Sequence, residues 1–299
     1  MSEHVRVVEV SPRDGLQNEK AIVPSAVKIE LIERLAACGY DTVEATSFVS
    51  PKWVPQLADA ETVLAGLTRK PGVRYPVLVP NLQGYRRAHA AGASDIAVFT
   101  AASEAFNHRN INASIDESIV RFEPVLAQAR VDGVRVRGYV STVLGCPYQG
   151  EVPVADVVRV AARLFELGCA EISLGDTIGV GTPGRARAML RAVAAAVPMS
   201  ALAVHFHDTY GQALANILAC LDEGVRVIDA AVAGTGGCPY AHGASGNVAS
   251  EDVIYMLQGM GLETGVDLDA LVATGHWLAM QLGRPTGSRV GRARAPEAA

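Results

Sequence analysis

An α/β architecture, a (β/α)8 TIM barrel with a short C-terminal helical extension, is what this sequence predicts. Two observations carry that expectation. Eight short β-rich runs alternate with helix-like segments, and no linker or low-complexity stretch interrupts the alternation before the tail. A third observation weighs against the nearest rival. An open doubly wound sheet that binds a nucleotide carries GxGxxG after its first strand, whereas here a charged turn, Arg13-Asp14-Gly15, holds that place.

The run Val5-Arg6-Val7-Val8-Glu9-Val10 reads as the first strand, over 5–10. An amphipathic segment, 25–37, follows as helix. Strands are then expected at 42–46, 74–79 and 95–99, with a helix at 115–129. A strand at 134–140 leads to a helix at 154–167, and a strand at 170–174 to an Ala-rich helix at 183–196. The pattern ends with a strand at 201–206, a helix at 212–222 and a strand at 226–232. Residues 1–275 are expected to form the catalytic barrel and 276–299 a C-terminal extension and flexible tail. Arg284, Arg289, Arg292 and Arg294 lie among Gly, Pro, Ala and Ser, and read as a solvated tail.

At 299 residues the chain can bury one large core. With 49% hydrophobic and 19% charged residues, its composition is that of a soluble globular enzyme. A net charge of −5 gives no global field to attract nucleic acid or an anionic membrane. The longest apolar stretch, 192–204, is broken by Pro198 and Ser200 and falls short of the ~20 residues of a membrane span. The first strand begins where a signal peptide would lie, so the cytoplasm is the expected compartment. Five cysteines without close pairs argue against a disulfide framework. Cys38, Cys169 and Cys220 read as packing residues, whereas Cys146 and Cys238 each lie in a Gly-Cys-Pro-Tyr loop.

A barrel gathers its catalytic residues at the C-terminal ends of its strands. His205 and His207 alternate along the end of an apolar run, so both imidazoles project to one side. An isolated pair of this kind is more often hydrogen-bonded core than metal site; its company argues otherwise. Arg13-Asp14, Glu44, Tyr139, Ser141, Ser173 and Asp176 all fall at expected strand ends, where charge is costly unless paired or bound to an ion. Asp176, followed by Thr177, reads equally as a cap or as a catalytic acid. One carboxylate, Asp14, with two imidazoles is a common facial arrangement, and Asn247 offers a neutral fourth oxygen. Ligation by O and N without thiolate suits Mg²⁺ or Mn²⁺ better than zinc. His4, His89, His108, His242 and His276 have no comparable context and most are expected at the surface. The glycine-rich loop 234–247 allows close approach of backbone to a ligand. A phosphate-binding turn and a catalytic loop carrying Cys238 as proton shuttle both remain open for it.

Five stretches, VEVSPRDGLQNE (8–19), STVLGCPYQG (141–150), SLGDTIGVGTP (173–183), HFHDTYGQALAN (205–216) and AGTGGCPYAHGASGN (233–247), together closely resemble the 3-hydroxy-3-methylglutaryl-CoA lyase family. The resemblance runs from about Val5 to Val272. RDG and HxHD with a downstream Asn are shared with related metal-dependent barrels, among them the isopropylmalate and homocitrate synthases. GGCPYA followed by GASGN is much more specific. By this resemblance the metal ligands fall on Asp14, His205, His207 and Asn247, with Mg²⁺ or Mn²⁺ as the ion. The essential arginine falls on Arg13, the loop cysteine on Cys238, and two supporting acids on Glu44 and Asp176. Arg13 and Gln17 are the expected substrate contacts.

The activity implied is metal-assisted retro-Claisen cleavage of 3-hydroxy-3-methylglutaryl-CoA into acetoacetate and acetyl-CoA, in a homo-oligomer of two or more chains. Either His205 or Asp176 would take the proton of the tertiary hydroxyl, Arg13 would stabilise the enolate oxygen, and Cys238 would return a proton. The alternatives are a lyase for a larger 3-hydroxy-3-alkylglutaryl-CoA, an acyl-CoA:2-oxo acid synthase on the same barrel, and a non-catalytic metal- or CoA-binding protein. The loop cysteine and the short stretch after the barrel weigh against the synthase.

Overall fold

The structure, a computed structural model, describes residues 3–237 and 246–295. Its strands are β1 (Arg6–Glu9), β2 (Thr46–Ser47), β3 (Val77–Leu78), β4 (Asp95–Ala101), β5 (Arg135–Ser141), β6 (Glu171–Asp176), β7 (Leu202–Phe206) and β8 (Val227–Ala230). They form one parallel sheet in the order β1-β8-β7-β6-β5-β4-β3-β2. The two ends of that sheet meet at Glu9 and Val43. There the Glu9 N–H donates to Thr42 O and the Glu44 N–H to Glu9 O, closing the barrel. The second and third strands are shorter than the runs 42–46 and 74–79 suggest. Pro76 has no N–H to donate, so the ladder between them breaks into isolated pairs such as Thr42–Arg74.

Eleven helices lie among the described residues: α1 (Ser25–Ala37), α2 (Ala60–Gly66), α3 (Leu82–Ala90), α4 (Glu104–Ile111), α5 (Ile115–Asp132), α6 (Val154–Leu167), α7 (Pro183–Ala194), α8 (Ala213–Leu221), α9 (Ser250–Gly259), α10 (Leu268–Gln281) and α11 (Arg289–Ala293). Local chemistry sets their ends. In α5 the Ser114 hydroxyl accepts from the Glu117 N–H while the Glu117 carboxylate accepts from the Ser114 N–H. Helix α6 buries Val157, Val160, Ala161 and Leu164, one stripe at helical spacing, and stops at Gly168 with φ +110°.

Alternation along the strands sorts their residues into two layers. Val7, Ile172, Leu174, Val204, Phe206 and Ile228 face outward into the large core shared with the helices. Val8, Val10, Ala203, Val227 and Ala231 form a small apolar cluster inside the barrel. Besides it and a second small cluster of Leu78, Ala97 and Tyr139, the interior holds charge: Arg137, Glu171, Asp229, Glu44 and Arg13 are all buried. That departs from the usual aliphatic filling of such barrels.

The C-terminal segment differs from the solvated tail that composition suggested, at least through residue 295. Helix α10 runs across position 275, and Ser288 is fully buried, donating to Asp252 at 2.7 Å. Asp252 also accepts the N–H groups of Arg289 and Val290, which fixes the start of α11. Arg284 pairs with Glu19, Arg289 with Asp208 and Arg294 with Asp269. Arginines that look unpartnered locally find acids supplied by distant segments. His276, expected at the surface, is half-buried and its Nε2 lies 2.9 Å from Gly291 O.

Beneath this segment Glu251 is fully buried, its carboxyl accepting the Ala233 N–H, and burial pushes its pKa from 4.5 up to about 8. Between those two values the unfolded chain releases a proton that the native state retains. Stability should therefore fall as pH rises from about 4.5 to 8, by a few kcal/mol in all. Glu251→Gln should flatten that slope, as read from urea midpoints at pH 5 and pH 8. An unchanged slope would refute this assignment.

Candidate active site

The turn after β1 is a single wide loop, Ser11–Gly15, in which the N–H groups of Asp14 and Gly15 both donate to Val10 O. Pro12 favours its start, and Gly15 lets it press against the segment after β8. A Cβ at position 15 would stand 2.3 Å from Thr235 Oγ1. This turn places Arg13 and Asp14 at the mouth of the barrel. Along β7 and the residue that follows it, the alternation of Ala203, His205 and His207 keeps both imidazoles on the interior face, with ring centroids 5.4 Å apart.

Asp14, His205 and His207 come together: each offers a ligand atom, and these atoms lie within 4.8 Å of one another. Asn247 adjoins them, its Nδ2 donating to Asp14 Oδ2 at 2.8 Å and to Thr235 O at 3.1 Å. The donor set fits a hard divalent cation, one carboxylate with two imidazoles and an amide. His207 Nδ1 is buried without a hydrogen-bond partner, the kind of orphan that an ion or substrate would satisfy. Burial opposes ionisation of Asp14, but Arg13 and the two histidines outweigh it and hold its pKa at about 2. Burial and the neighbouring His205 lower His207 to about 4, so it is neutral at pH 7 and able to ligate. His205 moves the other way: burial alone would lower it, yet its hydrogen bond to Asp229 and the charge of Asp14 raise it.

Arg13 is clamped. Its Nη1 donates to Asp14 at 2.6 Å, its Nη2 lies 2.8 Å from Glu44, and its guanidinium sits over the Tyr139 ring. Burial works against its charge, but Glu44 and Asp14 keep it firmly protonated. Its Nε and the Glu44 Oε1 are buried without partners. Glu44 is raised by burial and also accepts the Tyr139 hydroxyl at 3.1 Å. Gln17, half-buried, lies two residues past the Ser11–Gly15 turn.

Asp176 is not brought to this cluster by any contact the structure gives. On β6, Glu171 and Ser173 point inward, so the alternation turns Asp176 outward with Ile172 and Leu174. Fully buried and raised by burial, its carboxylate accepts the N–H groups of Val180 and Gly181 and shapes the turn before α7. Cys238 and His242 lie outside the described residues. The loop that carries them leaves the barrel through Ala233, a non-glycine residue at φ +58°, whose N–H is held by Glu251 and whose carbonyl accepts from Gly287. Backbone strain of this kind tends to cluster at functional sites.

Two buried residues went unremarked in the sequence, Arg137 and Asp229. Each is a charge at an inward position of a strand, among apolar residues on either side, which is the signal that could have found them. Cys146, set apart with Cys238, is instead a packing residue; its sulfur accepts from Ser103 Oγ at 3.0 Å.

A cavity of about 610 Å³ opens beside the mouth, between Asn18, Lys20, Ile22, Gly237 and Arg284. Among the described residues no helix is long and apolar enough to cross a membrane.

Comparison with known proteins agrees with this geometry. The chain is 60% identical over 289 residues to the hydroxymethylglutaryl-CoA lyase, mitochondrial, of Bos taurus, covering 97% of this chain and 89% of that protein. Other similar relatives are named cytoplasmic. The crystal structure of hydroxymethylglutaryl-CoA lyase from Pseudomonas aeruginosa matches with a TM-score of 0.96 and 57% identity, over 98% of both chains. An HMG-CoA lyase from Acenitobacter baumannii, solved in complex with coenzyme A and 3-methylmalate, matches with a TM-score of 0.94 and 38% identity, over 99% of this chain and 97% of that one. The HMGL-like family matches residues 4–277, and with full-length relatives at this identity the chain belongs to it.

Proposed function

We propose that this protein cleaves 3-hydroxy-3-methylglutaryl-CoA to acetoacetate and acetyl-CoA at the barrel mouth. A divalent ion, Mg²⁺ or Mn²⁺, would be held there by Asp14, His205 and His207, with Asn247 as a fourth donor. One observation carries the reading: three ligand atoms converge beside a clamped arginine, and buried atoms around them lack partners. The relatives' name and the complex of one of them with coenzyme A support the substrate class. The cavity beside the mouth, with Lys20 and Arg284 at its wall, is the proposed seat of the CoA chain. The cytoplasm is the proposed compartment, in line with the cytoplasmic forms among the relatives.

Cleavage requires the tertiary hydroxyl to lose its proton while the electron pair of the breaking C–C bond moves onto the thioester as an enolate. A bound divalent ion supplies Lewis-acid polarisation of the substrate oxygens. Arg13 meets the enolate oxygen: two of its nitrogens are tied to Asp14 and Glu44, so the fork is preorganised, and Nε is left to donate. Glu44 orients Arg13, and Gln17 adds a substrate contact. Of the two candidate bases, Asp176 faces outward and serves the turn before α7, whereas His205 lies at the mouth with Nδ1 on Asp229 and Nε2 on the side of the ion site. Cys238 is the proposed donor to the enolate carbon.

Incubation of the purified protein with 3-hydroxy-3-methylglutaryl-CoA and Mg²⁺ or Mn²⁺ should yield equal amounts of acetoacetate and acetyl-CoA. Absence of cleavage, with CoA instead released from acetyl-CoA and a 2-oxo acid, would favour the synthase reading. Cys238→Ser should lower kcat severely while KM and metal affinity stay near wild type. Near-normal kcat in that variant would make its loop a binding element only.

A further inference from the structure

Inside the barrel, below the mouth, the charged side chains form a closed ring. Arg137 Nη2 donates to Asp229 Oδ1 at 2.6 Å, and Asp229 Oδ2 lies 3.2 Å from His205 Nδ1. His205 Nε2 is 3.8 Å from Asp14, which pairs with Arg13 at 2.6 Å. Arg13 pairs with Glu44 at 2.8 Å, Glu44 accepts from the Tyr139 hydroxyl, and that hydroxyl accepts from Arg137 Nη1 at 3.0 Å. Asp229 is the hinge of this ring. Nearly all its surface is buried, and Ser173 Oγ donates to Oδ2 at 2.8 Å, so both carboxylate oxygens are fixed by partners on other strands.

We propose that Asp229, clamped by Arg137 and Ser173, is a positioning residue that presets His205 for its work at the mouth and ties that setting to Arg13. An acid on Nδ1 keeps the proton there and leaves the lone pair of Nε2, which lies on the Asp14 side, for the ion. The two histidines are therefore unequal. His207 has an unpartnered Nδ1 and no such acid, so the ligand that is fixed in advance is His205. Burying an acid and an arginine at the centre of a barrel costs desolvation that aliphatic side chains would not incur. Orientation of a ligand is a function that offsets this cost.

The proposal rests on the metal-centre reading above, and the test separates the two. Mn²⁺ affinity is measured by EPR titration, together with kcat and KM, for wild type, Asp229→Asn, His205→Ala and the double variant. Asparagine keeps the shape but can turn its N–H₂ toward Nδ1, which selects the wrong tautomer of His205. Asp229→Asn should weaken Mn²⁺ binding about 10–100-fold and lower kcat, with KM changed only a few-fold. In the His205→Ala background the same substitution should add little to the loss of Mn²⁺ affinity, because Asp229 acts through His205. A merely structural role would give losses that add. Should Asp229→Asn fail to fold, Ser173→Ala removes one clamp and should still weaken Mn²⁺ binding several-fold; no change in that variant overturns the proposal. Equal Mn²⁺ affinity in wild type and a folded Asp229→Asn overturns it too. A wild type that binds no Mn²⁺ would instead overturn the metal-centre reading on which the proposal rests.

Discussion

Replacing Arg13 with lysine is expected to lower kcat at least about a hundredfold while KM changes only a few-fold. The charge is kept, so a pure electrostatic anchor for a substrate carboxylate would survive the change. What is lost is the planar fork. Arg13 holds Asp14 with one terminal nitrogen, Glu44 with the other, and keeps Nε free, and no single ammonium reproduces all three. The enolate charge exists only as the C–C bond breaks, so its stabilisation appears in kcat rather than in binding. One fixed, charge-assisted donor to a developing oxyanion is worth roughly 3–4 kcal/mol, a factor of about 10²–10³. Steady-state kinetics with 3-hydroxy-3-methylglutaryl-CoA decide the matter. Intact kcat with a much higher KM would move Arg13 to substrate anchoring.

Chelation should have a still larger effect. EDTA treatment is expected to reduce cleavage at least about a thousandfold, and added Mg²⁺ or Mn²⁺ to restore it. Asp14 stays ionised and His207 neutral at pH 7, so the site holds an unprotonated carboxylate and a free imidazole ready for a cation. His207→Ala should weaken Mn²⁺ binding, since it removes one of three converging donors. His89→Ala is the control: that imidazole is exposed on α3 and stacks on Tyr85, remote from any ligand atom. Full activity in metal-free protein would sink the metal-centre reading. Equal Mn²⁺ affinity in the two variants would remove His207 from it.

Much of the barrel was legible from local pattern alone. Alternating apolar runs and amphipathic segments depend on neighbours within one strand or one turn, and all eight strands fall on or beside the expected runs. The placing of His205 and His207 on one face needs only the two-residue period of a strand. The same period, followed from Ser173, turns Asp176 outward, yet the residues around it do not reveal whether the strand continues that far. Arg284 and Arg289 looked solvated for a related reason: their acids, Glu19 and Asp208, arrive from far away in the chain. The interior ring shows the limit most clearly. Arg137 and Asp229 are 92 residues apart, and Tyr139 and Glu44 are 95 apart.

The sequence by itself determined which residues could share a face and which chemistry the mouth could hold. Only the tertiary structure decided which charges meet, because a buried charge is tolerable only when its partner arrives from another strand. Arg13 has one partner next to it in Asp14, but no local window contains the acids that meet Arg137 or the arginine that meets Glu44.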